Sequence, residues 1–403
     1  MEGISQDCLF LQRIAGVLKE EKFTLIDIGC SLGIDQLWRL YGDRLRAVAF
    51  DPNIEECARL SARETNPGVK YVAAFVGLRP DHPFARQKIG KPHWGNNPWT
   101  RLSVWRTFQI RQKEIENLSS EEKTRINAWT QTQLADANQP IYLADFLLRN
   151  DINDIDFIKL DVDGPDFEIL HSLEDVFAAA QVIAVGMEVN FFGSAAETDH
   201  TFHNTDRFLR NKGFGLFQLT ARRYSVAALP SRYLWAEPCQ SEFGRPVQGD
   251  ALYVRDICDP AHADFAATLS SEKLLKAASI FGAFQLPDCA AEILLKFREK
   301  LVGKCDVETL LDILAAQVQQ SAESVLKYKE YIAAFERDKD IFYRLRHRPQ
   351  STVRRALGFL RRSMGIKLET DRVADHFSSQ SWSSTDRTRK YIGPSGSPYL
   401  LVV

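Results

Sequence analysis

A glycine-containing turn between two apolar segments limits what this chain can fold into more than any other feature. The first segment covers residues 24–28, and the turn that follows it contains Gly29 and Gly33. The second segment covers residues 47–50 and leads directly into Asp51. A strand, a glycine turn, a helix and a second strand that ends in an acidic residue form the first half of a nucleotide-binding α/β unit. We therefore expect a nucleoside to bind where the first two strands end.

The spacing of the glycines indicates which nucleoside this is. A dinucleotide site needs the pattern G-x-G-x-x-G, whereas this turn offers only the pair Gly29 and Gly33. Asp27 would repel a phosphate but can hold a cationic amino-acid end, and the Asp51 carboxylate can accept hydrogen bonds from both ribose hydroxyls. These features predict S-adenosylmethionine as the cofactor. The predicted cofactor-binding residues are Asp27, Gly29, Cys30, Gly33, Asp51 and Asn53, with Cys30 and Asn53 as wall residues.

The composition predicts a cytoplasmic protein with enough apolar residues for a full core. The chain has 403 residues, of which 45% are hydrophobic, and its formal net charge is -2. That charge gives no general attraction to nucleic acid, so we expect no nucleic-acid partner. The first residues lack the basic and apolar regions of a signal peptide, and no apolar stretch is long enough to span a bilayer, so we expect no export. The seven cysteines are scattered and never form C-x-x-C, which favours reduced thiols over disulfides or a zinc site.

Strand and helix signals alternate between residues 20 and 256, which predicts an α/β fold with helices on both faces of a parallel-type sheet. Seven short apolar segments suit the Rossmann-like sheet of a methyltransferase. The predicted strands are 24–28, 47–50, 70–75, 156–160, 182–188, 214–219 and 251–254.

The remaining regions differ from this pattern. Residues 1–19 predict an N-terminal helix, and residues 79–140 form a long insertion rich in tryptophan and proline, which is typical of a lid or substrate loop. Apolar residues recur at helical spacing within 257–348, so we expect a helical region that serves packing or self-association. The tail, 349–403, is basic and rich in serine, which predicts partial disorder.

Part of this tail mixes paired arginines with apolar residues. Residues 353–367 could lie on an anionic membrane surface as a weak peripheral contact at its inner face. Two glycines in the segment disfavour a helix, so a solvated segment is the alternative.

A second motif gives an independent constraint. Residues 142–147 and 155–170 resemble the FkbM-type methyltransferases, which have a leucine-aspartate helix start followed by a strand of the form I-D-x-x-K-I-D-V-E-G. The sequence departs from this family at Asp163, where glutamate is usual, and at Pro165 after the glycine. The resemblance covers about residues 20–256. The matching residues are Asp145, Asp156, Lys159, Asp161, Val162, Gly164, Glu168 and Leu170.

The resemblance implies methylation that depends on S-adenosylmethionine, commonly of a hydroxyl on a sugar, a lipid-linked glycan or a polyketide-like molecule. Such a displacement needs mainly alignment of the acceptor oxygen and removal of its proton. Asp161 and Asp163 follow the fourth strand, where open α/β sheets place ligands, so either could take that proton. Glu188, at the end of the fifth strand, is the third predicted catalytic residue. The same three side chains could instead gather a divalent cation, although we predict no metal.

Several other residues have both a structural and a functional interpretation. His171 could be a base, but a packed histidine is the more usual case, and Asp163 and Asp166 could simply cap the following helix. The insertion could provide a tryptophan platform for a sugar or merely close a local core. His93, His200, His203 and Asn190 are further candidates because each could lie near the same crevice, and the pair Arg222 and Arg223 could meet an acidic substrate or solvent.

Two other classes of function stay open. One is an NAD-dependent oxidoreductase that modifies sugars, which the single glycine pair disfavours. The other is a non-catalytic adaptor that keeps the cofactor-binding fold in a surface-glycan pathway, an alternative suggested by the departures at Asp163 and Pro165.

Overall fold

The computed structural model describes residues 6–87, 116–117, 119–121, 134–136, 139–162, 164–226, 228–229, 240–319 and 325–338. Several predicted features therefore lie outside the described residues. They are Asp163, His93 and the tryptophans of the insertion, and the segment 353–367.

Seven strands form one sheet within the described residues, and this confirms the predicted fold class. The spatial order is β3-β2-β1-β4-β5-β7-β6. All neighbours are parallel except β7, which runs antiparallel to both β5 and β6. The order reverses between β1 and β4, and such a reversal opens a crevice at the carboxyl ends of the strands. The strands are β1 Phe23–Ile28, β2 Leu45–Asp51, β3 Val69–Ala73, β4 Phe157–Leu160, β5 Ala184–Asn190, β6 Gly215–Tyr224 and β7 Arg245–Val254.

Helices flank the sheet and continue after it. The α-helices are α1 Gln6–Val17, α2 Ile54–Arg63, α3 Pro83–Gln87, α4 Leu143–Arg149, α5 Asp166–Ser172, α6 Glu174–Ala179, α7 Phe202–Asn211, α8 Ala263–Thr268, α9 Ser271–Ala283, α10 Pro287–Lys296, α11 Arg298–Leu301, α12 Val307–Val318 and α13 Tyr328–Arg337. In the described parts of the chain, two 3-10 helices cover Trp38–Arg44 and Pro260–His262.

The connection from β1 to β2 corrects one expectation. Instead of an α-helix it contains the 3-10 helix Trp38–Arg44, which is interrupted at Gly42 by a positive φ. Trp38 and Tyr41 stack on Phe23, with ring centroids 5.3 Å and 4.2 Å away. Burial of Trp38 and Tyr41 holds this connection against the start of β1. This packing outweighs the preference for an α-helix that was expected between the two strands.

The last two strands are longer than the sequence predicts. Their outer halves contain exposed or half-exposed residues, for example the stretch of β6 from Gln218 to Arg223, and so lack an apolar run. The antiparallel ladder between β6 and β7 supplies their pairing instead, with irregularities at Leu216/Gln218 and Arg222/Arg223.

Residues 1–317 form one compact unit, so α9 packs in the same body as the sheet. Its buried Lys273 and Lys276 reach the start of β4. Lys273 Nζ lies 2.7 Å from Asp156 Oδ1 and 2.5 Å from Asp154 Oδ1, and Lys276 Nζ lies 3.1 Å from the second oxygen of each carboxylate. Asp156 also accepts a hydrogen bond from the Thr24 backbone N–H at 2.7 Å. A buried ionic cluster therefore joins α9 to two central strands. We call it the lysine cluster.

The second unit covers residues 318–403. Its described part includes α13, which has no buried residues. Gln319 holds Leu326 through two hydrogen bonds of 2.9 Å. The predicted division of the chain after residue 256, and the predicted self-association, stay predictions.

In the part of the chain that the structure describes, no helix combines the length and the apolar character that crossing a bilayer requires.

Candidate active site

Gly29 is the point where the first turn meets the fourth strand. Its φ is +90°, and a Cβ placed there would lie 1.7 Å from the Asp161 carbonyl oxygen. The backbone N–H of Asp161 in turn donates to the Ile28 carbonyl oxygen at 3.0 Å. A glycine is therefore required, because it alone permits both the backbone angle and this close approach. The contact brings the turn after β1 and the end of β4 together at the sheet's reversal point.

A lysine links the acidic residues on either side of this contact. Lys159 Nζ lies 3.3 Å from Asp27 Oδ1 and 3.5 Å from Asp161 Oδ2, and it donates to the Gly29 carbonyl oxygen at 2.8 Å. Burial alone would lower the pKa of Lys159, but Asp27 and Asp161 outweigh it and the pKa is raised. The ammonium group therefore stays charged and neutralises part of a strongly acidic site.

The two aspartates of this group differ in exposure. Asp27 is buried, whereas the Asp161 side chain is 45% exposed. Burial raises the pKa of Asp27 to about 6, despite the opposing effect of Lys159. An ionised carboxylate in such surroundings gains much from a bound cation. Asp161, in contrast, lies open to a molecule that enters the crevice.

Replacing Asp27 by asparagine should stabilise the ligand-free protein while removing the site's affinity for a cation. Because the pKa is about 6 when folded and near 3.8 when unfolded, this carboxyl favours the folded state below about pH 4, and the contribution is lost as the pH rises through 6. We expect Asp27→Asn to raise the free energy of unfolding at about pH 7.5 by up to about 3 kcal/mol. Urea titrations at about pH 4 and at about pH 7.5 measure the free energy of unfolding of the variant and of the wild type.

The exposed Asp264→Asn is the control and should change stability at neither pH. A loss of stability in Asp27→Asn at about pH 7.5 would contradict the account, since a neutral amide avoids the cost of burying a charge.

The second predicted carboxylate lies at the end of β2. Asp51 is buried, and its Oδ1 accepts a hydrogen bond from the Asn53 backbone N–H at 2.8 Å. Burial raises the pKa of Asp51, partly opposed by that hydrogen bond. The Asn53 side chain caps α2 by accepting from the Glu56 N–H at 2.9 Å, so its carbonyl group is engaged. Cys30 is buried beside them, and burial followed by the charge of Asp27 raises the pKa of its thiol.

Exposed apolar side chains surround the end of β2. Leu32 is 54% exposed with a φ of +72°, and Ile54 opens α2 at 39% exposure. Leu134, from the returning end of the insertion, is 57% exposed and forms a bridge with Asn53. Large apolar residues that stay in solvent around a polar site are typical of a surface that receives a flat, apolar group. Such a surface suits the base of a nucleoside, and the Asp51 carboxylate beside it could accept hydrogen bonds from ribose hydroxyls.

Glu188, on β5, is held in a network with residues of β6 and β7. It pairs with Arg222, and its Oε1 accepts from Gln248 Nε2 at 2.6 Å. Arg222 also lies 3.1 Å from Asp250 Oδ1. Burial alone would lower the pKa of Arg222, but Asp250 and Glu188 raise it. Arg222 is therefore a permanent cation that pairs with the carboxylates of Glu188 and Asp250. Its guanidinium group thus has protein partners and does not simply face solvent.

The histidines have varied surroundings. His171 stacks on Phe84 with centroids 3.8 Å apart, and burial lowers its pKa to about 4. It is thus a neutral, packed histidine. His200 contacts the Glu188 carbonyl oxygen at 3.2 Å and the Asn190 amide at 3.3 Å, whereas His203 is exposed on α7. Asp166 accepts from the N–H groups of Val162 and Gly164, so it orders the loop after β4.

The structure brings Asp27, Gly29, Cys30 and Asp161 together at the crevice, with Asp51, Gly33 and Asn53 along the adjoining strand end and Glu188 on the far side. Three contributors were missing from the sequence-based set. Lys159 stood in the second motif but had no role assigned, Leu134 lies in an insertion without a periodic pattern, and Gln248 belongs to a part of β7 that was not predicted. Among the described residues, no group of three or more metal-ligating side chains is placed to hold a metal ion.

The central region of the chain matches a known protein family. Residues 39–216 match the family model described as the methyltransferase FkbM domain, as the second motif predicted. The match includes Asp51, Lys159, Asp161 and Glu188, while the turn at 27–33 precedes it. No curated protein matches the chain significantly in sequence.

Several solved structures are similar to part of this chain. An S-adenosylmethionine-dependent methyltransferase from Aquifex aeolicus aligns at 11% identity over 61% of this chain and 90% of its own, with a TM-score of 0.26. An rRNA methylase from Streptococcus thermophilus aligns at 11% identity over 63% and 98%, with a TM-score of 0.25. A precorrin 8W decarboxylase from Methanobacterium thermoautotrophicum aligns at 15% identity over 62% and 88%, also with a TM-score of 0.25.

Proposed function

Since residues 39–216 belong to the FkbM methyltransferase domain family, we propose that this protein is an S-adenosylmethionine-dependent O-methyltransferase. Its acceptor is a hydroxyl of a glycan, a lipid-linked sugar or a related small metabolite. The observation that supports this most directly is the meeting of two motifs at one crevice, where Gly29 touches the Asp161 backbone and Lys159 joins Asp27 to Asp161.

The surroundings of the crevice suit a cationic cofactor. Asp27, Asp161, Glu188 and Asp250 carry more negative charge than Lys159 and Arg222 can balance. An excess of carboxylates favours a positively charged sulfonium over a neutral thioether or an anionic dinucleotide. When bound, S-adenosylmethionine supplies an electrophilic methyl group. Asp51 would hold the ribose, and Asp27 would hold the amino-acid end.

Asp161 is the residue we assign to the acceptor proton. It stands at the carboxyl end of β4, is 45% exposed, and is held on one side by Lys159. A partly exposed carboxylate can accept a hydrogen bond from an entering hydroxyl and receive its proton as the oxygen is alkylated. Asp163 lies outside the described residues and stays a predicted catalytic residue.

Glu188 has a different part in this proposal. Both of its carboxylate oxygens are engaged, one by Arg222 and the other by Gln248. It therefore shapes and charges the acceptor side of the crevice, and its role as a base remains only a prediction. Its neighbours Gln248 and Asp250 offer further hydrogen-bonding groups, as expected for an acceptor rich in hydroxyls.

Thermal shifts with S-adenosylmethionine, S-adenosylhomocysteine, NAD and NADP test the cofactor. We expect stabilisation by the first two alone, and Asp51→Ala should weaken S-adenosylmethionine binding by one to two orders of magnitude, because charge-assisted hydrogen bonds contribute about 1.5–3 kcal/mol. Asp264→Ala is the control, since Asp264 is an exposed acid on the helix α8.

A mass gain of one methyl group on sugar or lipid-linked acceptors then tests the reaction. Stabilisation by NAD alone would overturn the proposed cofactor. Cofactor binding without methyl transfer to any hydroxyl acceptor would instead favour the adaptor.

A further inference from the structure

Lys159 occupies an unusual position between the two halves of the site. One ammonium group contacts the cofactor-side carboxylate Asp27, the Gly29 carbonyl of the turn, and the acceptor-side carboxylate Asp161. The side chain is 31% exposed, so it is largely shielded by the groups around it. The proposed mechanism gives it no step of its own.

The sheet register explains how one side chain reaches all three. Lys159 lies opposite Asp27 on β1 and opposite Gly186 on β5. Residues at paired positions of parallel strands project from the same face, as does Asp161 two residues further along. Gly186 adds no side chain there, and Phe157 fills the space beside it. The Lys159 ammonium group therefore contacts the carboxylates of both Asp27 and Asp161.

The charges that act on Asp27 come from a small set of groups. The largest effects come from Lys159, which stabilises its ionised form, and from Asp161 and the exposed Asp35, which oppose it, and the thiol of Cys30 also interacts with Asp27. Lys159 is therefore the counter-ion that lets this buried carboxyl ionise near neutral pH. Without it, burial would keep Asp27 protonated over a wider range.

We propose that Lys159 is a positioning residue that couples the two halves of the site, holding Asp27 ionised for the cofactor and Asp161 oriented for the acceptor. This inference rests on the proposed function. It assigns Lys159 no contact with the reacting atoms. Its action passes through the two aspartates and the Gly29 carbonyl group.

Removal of the ammonium group has a distinctive consequence for cofactor binding. In Lys159→Met, Asp27 should keep its proton up to a higher pH than in the wild type. At the acid end of the range, the cofactor's ammonium group therefore loses its charged partner. At higher pH Asp27 ionises without a neighbouring cation, and the site becomes more negative than in the wild type. The variant should therefore bind S-adenosylmethionine more weakly than the wild type at low pH but at least as tightly at high pH.

Calorimetric titration of S-adenosylmethionine from about pH 6 to about pH 9 tests this. We expect the Lys159→Met profile to cross that of the wild type, with at least about tenfold weaker binding at the acid end, which corresponds to about 1.4 kcal/mol. Lys159→Arg keeps the charge and should restore the wild-type profile. Lys70→Met, on the exposed side of the edge strand β3, should change nothing.

A second variant tests the coupling if Lys159→Met does not fold. Asp161→Asn removes an exposed like charge from Asp27, so the whole profile should move to lower pH. A Lys159→Met profile parallel to the wild type, or an unmoved Asp161→Asn profile, would overturn the inference. Absence of binding by the wild-type protein at every pH would overturn the proposed function instead.

Discussion

Substitution of Gly29 by alanine is expected to abolish cofactor binding. The new methyl group would lie 1.7 Å from the Asp161 carbonyl oxygen, which is backbone and cannot rotate away. The turn must therefore separate from β4, and the Gly29 carbonyl then leaves Lys159. The positive φ alone costs about 1–3 kcal/mol. We expect no thermal shift with S-adenosylmethionine and a clearly lower midpoint of unfolding.

Gly303→Ala provides a matched control for this prediction. Gly303 also has a positive φ, +77°, but a Cβ there would meet no atom within 4 Å. It should therefore show the cost of the backbone angle without the collision, and leave cofactor affinity unchanged. If Gly29→Ala kept wild-type cofactor affinity, the contact between the turn and β4 could not be what forms the site.

Substitution of Asp156 by asparagine should destabilise the fold strongly and leave the crevice intact. Asp156 is fully buried, contacts both lysines of the lysine cluster and accepts a hydrogen bond from Thr24. Removing one partner from a buried ionic group typically costs 3–5 kcal/mol, because the remaining charges stay buried. Urea unfolding should show a loss of about this size. At a temperature where the variant is folded, its affinity for S-adenosylmethionine should equal that of the wild type.

Asp154→Asn is the control for Asp156. Its side chain is 39% exposed and contacts the same two lysines. Lys273 and Lys276 outweigh the effect of burial and lower the pKa of Asp154. Water can replace part of what this carboxylate provides, so we expect a smaller loss of stability than for Asp156. Equal losses for the two variants would mean that burial does not determine the strength of the cluster.

The sequence predicted the features that depend on local patterns. Short apolar runs marked all seven strands, and the glycine spacing with Asp51 marked the turn and the end of β2, because each signal lies within a single stretch of the chain, the second within residues 29–51. The end of β4 was marked by the second motif. Gly29 was selected as a turn glycine, although the Asp161 carbonyl that makes it indispensable is far away in the chain.

The features that were missed depend on distant partners. Lys273 and Lys276 stand three residues apart on a helix, as many solvated lysines do, and only the fold brings them to Asp154 and Asp156. Arg222 was predicted to lie after the sixth strand and to meet an acidic substrate or solvent, because the polar half of β6 has no apolar run, yet it pairs with Glu188. The connection from β1 to β2 was predicted as a helix, since no local pattern reveals the stacking of Trp38 and Tyr41 on Phe23.

The lysine cluster also bears on the order in which a newly made chain completes its fold. Lys273 follows Asp156 by 117 residues. At about 5–20 residues per second, the ribosome needs roughly 6 to 23 seconds to make that stretch. During this interval Asp156 lacks the cations that accompany it in the finished molecule, and its carboxylate favours water over the interior. We therefore expect β4 to complete its packing late in synthesis, after β6 and β7 have been made.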